Sequence, residues 1–495
     1  MIYDVVIVGS GPGGSTLSYG LMNSGLKILI LEKGNCIPRE IENWDSESST
    51  KFSKKYSHFI TVNGIESESN CRAYFNVGGQ SKFYGSSLLR LREKDFNKLQ
   101  HIGGGISPKW PISYEELEPY YAKAEIIYKV HGLDGEDPTG PYRSTGFPYP
   151  PISHDFFNQN LIDKLKMKGI NPIHLPRGLD LQEGGRCIKC FKCDTFPCPT
   201  YGKMDAEVAC LIPALSDENI SILENANCQK LIVNRAGNQV SYAEVIINDK
   251  VERIYSRLFV LSCNSIFSPE ILLRSASFHH PAGLANSSSL VGSNLMQHNI
   301  GTFLFGSLGK KIPKMHQKTF AITDFYWGDE EVKFPLGIMQ SLGQIPFPQW
   351  WNRMVLNWLE ASFLMSEDLP MQYNRISIDR NGKINIKYKT NNTIGLKVLA
   401  KKIQSVFRSA GLVAKSMHLN SDGKYLPPRV DGHIVGTLVF GDDPKTSVLD
   451  KNCKTHDIEN LFVVDGSFFP SSGAVNPTLT IAAQALKTAD FIRKY

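Results

Sequence analysis

Residues 4–34 read DVVIVGSGPGGSTLSYGLMNSGLKILILEKG. Val5, Val6, Ile7 and Val8 form a β-branched run suited to a buried strand, Ser15–Ser24 suits a helix, and Ile28–Leu31 is a second apolar run. Between the first run and the helix, Gly9, Gly11 and Gly14 spell GxGxxG. Only glycine lets this turn tighten and lets backbone N–H groups at a helix N-terminus approach a pyrophosphate closely. Glu32 ends the second run 18 positions after Gly14. There a carboxylate can accept hydrogen bonds from both hydroxyls of an adenosine ribose, and it repels a phosphorylated ribose. The stretch predicts a strand–helix–strand unit of an α/β, Rossmann-type dinucleotide fold.

Composition bounds the rest. A chain of 495 residues exceeds the size at which a single core stops growing, so two connected domains are expected. A 42% hydrophobic and 21% charged composition is that of a soluble globular protein. No apolar run approaches the ~20 residues that span a bilayer and no signal pattern precedes the first strand, which points to the cytoplasm. The net charge of +6, from 54 basic and 48 acidic residues, is dispersed. With no basic patch interleaved with aromatics, a nucleic-acid partner is not expected. Ten cysteines in so large a chain read as thiols or ligands, not as a disulfide framework.

Asn35–Glu66 is polar and serine-rich, including Ser46–Ser49, and predicts mostly loop, an excursion that closes over the nucleotide. In Gly78-Gly79-Gln80-Ser81 the glycines let backbone lie flat against a planar ring whose edge Ser81 can reach. Trp110-Pro111-Ile112-Ser113 starts a capped helix running to about His131, and Phe156–Gly169 predicts another. Cys187, Cys190, Cys193 and Cys198 follow as Cys-x2-Cys-x2-Cys-x4-Cys-Pro, which can converge on an iron–sulfur cluster or zinc or can line a loop as thiols. Glu207–Ala214 reads as helix, residues 220–256 as a meander of four strands, Arg257–Ser262 as a buried strand and Ser268–Ser275 as helix. Aromatics gather in Phe320–Trp351, either packing a sheet against helices or walling a pocket. Arg375–Tyr388 predicts two strands joined at Asn381-Gly382, and Leu396–Ala410 a helix with Lys401 and Lys402 outward. Near the end, His433 lies beside glycine, Asn460–Gly466 is a buried strand, and Asn476-Pro477-Thr478 opens a helix.

In this order the motifs resemble the glucose–methanol–choline (GMC) oxidoreductases. They are the N-terminal turn with Glu32, Gly78-Gly79-x-Ser81, Trp110-Pro111, Ser268-Pro269-x-x-Leu272-Leu273, Gly292-x-Asn294-Leu295-x-x-His298, Asn374-Arg375, His433-x-x-Gly436-Thr437, Asp465-Gly466-Ser467 and Asn476-Pro477. The resemblance implies a discontinuous FAD-binding domain (1–110, 200–300 and 430–495), a helical, cysteine-rich insertion (111–199) and an α+β substrate domain on an antiparallel sheet (301–429). It implies FAD-dependent oxidation of an alcohol such as a sugar, glycoside or polyol, with His433 accepting the proton and Asn476 its partner. Electrons would pass on to oxygen, a quinone or a redox protein. FAD contacts would come from Gly9, Gly11, Pro12, Gly14, Glu32, Lys33, Gly78, Gly79, Ser81, Cys228, Asp465, Gly466, Asn476, Pro477 and Thr478, with Asp465 beside the ribityl chain. Phe83 stands where covalently flavinylated members carry histidine, so FAD is expected to be noncovalent. The alternatives are a flavin-retaining lyase of the same fold or a sterol or small-alcohol oxidase.

Overall fold

The computed structural model describes residues 2–44, 56, 58–64, 68–190, 192–306, 318–343, 358–416 and 432–495. A seven-stranded sheet is built around Ile2–Val8. That strand is paired in parallel with Ile28–Leu31 on one side and with Lys250–Leu261 on the other. Beyond Ile28–Leu31 lies Ile220–Leu223, also parallel. Val5, Val6 and Ile7 are fully buried, as befits a strand covered on both faces. Lys250–Leu261 is one strand where the sequence suggests two, because it changes partner midway. Its first half pairs antiparallel with Val240–Ile247, and its second half pairs in parallel with Leu461–Val463. The helices Pro12–Gly20 and Thr478–Ile492 pack together on this sheet.

A six-stranded sheet runs in the order Val413–Ser416, Asn299–Gly306, Glu360–Ser366, Ile338–Ser341, Phe320–Ile322, Ile173–His174, with every pairing antiparallel. Strand alternation gives it two faces. Phe303, Phe305, Met339 and Leu364 bury against the helix Thr393–Ser409, whose Leu396, Leu399, Ile403 and Phe407 recur at helical spacing. Burial of such a side chain stabilises by roughly 1.5–3 kcal/mol. On the opposite face Ile300, Gln340 and Phe363 look into a cavity shared with the first sheet. Lys401 on this helix is exposed, whereas Lys402 is drawn into ion pairs with Asp329 (2.6 Å) and Glu331 (2.8 Å).

Several local expectations are corrected. His58–Gly64, read as loop, is a strand, paired with Glu68–Ala73 and in parallel with the distant Ile384–Tyr388. The turn expected at Asn381-Gly382 is there, with Gly382 at φ +75°. The helix begun at Tyr114 ends at Ile127, and Val130–His131 instead pairs with Arg177–Gly178. Glu207–Ala214 is helical as expected, with a π-helical stretch over Glu207–Leu211 running into the α-helical Ile212–Ala214, where Pro213 has no N–H to give to an α ladder. Ser46–Ser49, Phe347, Trp350 and Trp351 lie outside the described residues.

Candidate active site

The cavity opens where the strand Ile2–Val8 turns into its helix. Gly9 takes φ +101°, and a Cβ there would sit 2.4 Å from the Ser262 carbonyl oxygen. Around a Cβ on Gly11 the space is open for 4 Å. That is the room a phosphate would take in front of the helix N-terminus. Glu32, 6% exposed, faces the same space. Its Oε2 accepts from the Ser10 amide (3.1 Å) and hydroxyl (2.6 Å), and Oε1 accepts from the Gly34 amide (2.9 Å). Burial pushes this carboxyl above its ordinary value, and the hydrogen bonds oppose that shift. The open cradle, the buried carboxylate and the helix N-terminus at Thr478 together fit FAD.

Of the residues singled out from sequence, Gly9, Gly11, Pro12, Glu32, Lys33, Gly79, Ser81, Cys228, His433, Asp465, Gly466, Asn476, Pro477 and Thr478 line one continuous cavity. Gly14 and Gly78 do not line it. Gly14 lets the helix close on the turn, where a Cβ would meet the Gly9 carbonyl at 2.1 Å, and Gly78 donates its amide to the Ser10 hydroxyl at 3.1 Å. Ser81 donates its hydroxyl hydrogen to the Gly78 carbonyl (2.6 Å) and accepts from the Ala206 amide (2.9 Å), so toward a ring edge it could act only as an acceptor. Asp465 borders the cavity, and its carboxylate caps the short turn Gly466–Phe468 and accepts from Ser467 and Ser268. Lys33 lays its ammonium 3.9 Å from the Phe75 ring centroid, and burial pushes the Cys228 thiol up to about 12.

His433 stands at φ +55°, a left-handed backbone unusual for a side chain of its size. Its Nε2 meets Asn476 Nδ2 at 3.1 Å and its Nδ1 meets His298 Nδ1 at 3.1 Å, while His298 Nε2 reaches the Ser472 carbonyl at 3.2 Å. A carbonyl only accepts, so His298 carries its proton on Nε2 and its Nδ1 is an acceptor. His433 must then donate from Nδ1, which leaves the Nε2 lone pair facing the Asn476 amide and the cavity. Burial holds His433 well below the ordinary imidazole value, with His298 and the Lys318 ammonium adding to the effect, so the ring is neutral near pH 7. Among the described residues the buried oxygen of the Asn476 amide has no partner.

Three contributors escaped the sequence reading. His298 ended a motif but suggested no role, and Lys318 and Asp194 form a buried pair (2.7 Å) across 124 positions. Among the described residues no group of three or more His, Cys, Asp or Glu side chains is placed to hold a metal. The Cys187–Cys198 run instead folds round the buried Lys203, whose ammonium donates to the carbonyls of Lys82, Tyr84, Cys193 and Phe196 at 2.7–3.0 Å. No helix among the described residues is long and apolar enough to cross a membrane.

Known proteins place this geometry in a family. Models of the GMC oxidoreductase N-terminal and C-terminal regions match residues 69–300 and 377–485. The chain is 27% identical to 2-methyl-1,2-propanediol dehydrogenase of Mycolicibacterium austroafricanum (99% of this chain, 95% of that one). It is also 27% identical to the fructose dehydrogenase large subunit of Gluconobacter japonicus (99% and 97%). To paromamine 6'-oxidase of Streptomyces fradiae it is 28% identical (99% and 91%). The crystal structure of pyridoxine 4-oxidase superposes with a TM-score of 0.68 at 17% identity, covering 100% of this chain and 99% of that one, and so shares the fold. The chain belongs to the GMC oxidoreductase family, FAD-dependent enzymes that act on the CH–OH group of alcohols.

Proposed function

We propose that this protein oxidises a secondary or primary alcohol to the carbonyl, with His433 as proton acceptor and Asn476 as its partner. The observation that carries the reading is the 3.1 Å contact between His433 Nε2 and Asn476 Nδ2 on the wall of the cavity that fits FAD. FAD, when bound, supplies the acceptor for the hydride. The alcohol oxygen enters between the two side chains, so that its hydroxyl donates to His433 Nε2 while the Asn476 amide donates to the oxygen. As the hydride leaves carbon, the hydroxyl proton passes to Nε2, and the amide hydrogen bond steadies the charge on oxygen. Burial keeps His433 neutral and its Nε2 lone pair ready to accept.

Phe83, packed on Tyr74 at 4.5 Å between centroids, offers no nucleophile to the ring, which supports noncovalent FAD. Oxygen, a quinone or a redox protein would take the electrons on. The test is anaerobic: FAD-loaded protein is mixed with a panel of alcohols and absorbance at 450 nm is followed. Bleaching by at least one alcohol is expected. Turnover of a substrate without bleaching would instead mark a flavin-retaining lyase.

A further inference from the structure

Where the six-stranded sheet and the cysteine-rich loop wall the cavity, it holds polar groups that the described residues leave unsatisfied. Lys318 and Asp194 are almost wholly buried, 4% and 6% exposed, and both line the cavity. Their atoms rest directly on Gly85, where a Cβ would lie 2.0 Å from Asp194 Oδ1 and 2.3 Å from Lys318 Nζ. Among the described residues the ammonium has one partner, Asp194 Oδ1 at 2.7 Å, and the second carboxylate oxygen accepts from the Gly343 amide at 2.8 Å. An ammonium carries three N–H donors and a carboxylate about four acceptor sites, so each member keeps about two unused. A buried pair is tolerated only when such remaining sites are met.

Nearby, Gln340 is 1% exposed and Ser87 3% exposed, and both line the cavity. Among the described residues the Gln340 amide oxygen and the Ser87 hydroxyl have no hydrogen-bond partner, nor has the buried hydroxyl of Thr195, which follows Asp194 and also lines the cavity. Phe363 stands directly opposite Gln340 in the sheet and offers an apolar face beside these groups. Lys318 and His433 line the same cavity, which joins the cluster to the proposed proton acceptor.

Resting on the alcohol-oxidase reading above, we propose that Lys318, Asp194, Gln340, Ser87 and Thr195 form a hydroxyl-binding subsite. The substrate is then a neutral polyhydroxylated molecule, one hydroxyl of which meets His433. A hydroxyl is donor and acceptor at once and matches a subsite that offers both kinds of site with no net charge. A carboxylate substrate meets Asp194 and an ammonium meets Lys318. An apolar alcohol would leave several buried groups unpaired, the situation that gives polar sites their strongest discrimination. The cysteine-rich loop thereby acquires a role in recognition, since it carries Asp194 and Thr195.

The experiment is anaerobic stopped-flow reduction of the FAD-loaded protein by neutral hexoses, sorbitol and myo-inositol, set against benzyl alcohol and 1-octanol. It is repeated with Gln340→Leu, whose retained flavin absorbance reports an intact fold. At least one polyol is expected to exceed both apolar alcohols by about 100-fold in reduction rate constant over dissociation constant, and Gln340→Leu to cut that preference at least tenfold. Faster reduction by the apolar alcohols, or a preference that Gln340→Leu does not alter, overturns the subsite while leaving alcohol oxidation standing. Bleaching by no alcohol of either kind overturns the oxidase reading and the subsite with it.

Discussion

The imidazoles of His298 and His433 meet Nδ1 to Nδ1 at 3.1 Å with their planes 86° apart. Through that contact the Ser472 carbonyl, which never touches the cavity-facing nitrogen, decides which nitrogen of His433 stays unprotonated. Replacing His298 by Ala frees His433 to take the other tautomer and removes one influence that lowers its basicity. Flavin reduction is expected to slow roughly tenfold, the worth of one hydrogen bond of about 1.4 kcal/mol. The acid limb of the rate profile should move up toward pH 6.5. In the parent protein, burial keeps the base neutral below pH 6.5, so the rate should hold level through that pH and fall only in stronger acid.

Glu32 already accepts two hydrogen bonds from Ser10 of the turn it faces and one from the Gly34 amide, and these fix its carboxylate at the proposed ribose position. Hydrogen bonds to a charged group are worth roughly 1.5–3 kcal/mol. Glu32→Ala should therefore bind FAD roughly 10–100-fold more weakly, read as lost absorbance at 450 nm after gel filtration. A variant that leaves the column fully yellow would contradict the ribose role.

Lys203 is 1% exposed and holds four carbonyls from two segments, the Lys82–Tyr84 turn and the cysteine-rich loop. Lys203→Met would leave those carbonyls without their donor. Chemical denaturation should show a loss of roughly 3 kcal/mol or more. The half-buried thiols of Cys190 and Cys193 should also react faster with a thiol reagent, which a uniform loss of stability would not single out.

Burial pushes Glu367 up to about 8 and Asp368 up to about 7. The folded protein thus holds protons that the unfolded chain has already released. Their stabilising contribution is complete below the ordinary carboxyl range and is lost as pH rises through about 7 to 8. His298, lowered to about 4, acts with the opposite sign, but only below pH 6.5. Melting temperature should therefore fall between pH 6.5 and 9, and Glu367→Gln should flatten the fall. Equal slopes for parent and variant would contradict the assignment.

The nucleotide half of the fold was legible because its signals are local. A glycine turn, a β-branched run and an acid at fixed spacing all lie within residues 4–34, and the strands they predict pair as expected. His433 and Asn476 were legible only through the motifs around them, yet folding brings them into contact across 43 positions. Other features depend on partners far along the chain. Lys250–Leu261 reads as two strands until its change of neighbour is known, and His58–Gly64 is a strand because Ile384–Tyr388 gives it an edge. Ser81 keeps the position its motif suggests, and its hydroxyl also accepts from the Ala206 amide, a contact across 125 positions. Nothing near Lys318 or Asp194 in sequence announces their pairing.

The central claim is that the unprotonated Nε2 of His433 takes the hydroxyl proton. The most direct measurement is single-turnover, anaerobic reduction of FAD-loaded His433→Ala by an alcohol that reduces the parent. A positioned general base is worth roughly 10²–10⁴ in rate, so reduction should slow by that factor with FAD still bound. Reduction of the variant at the parent's rate would contradict the account.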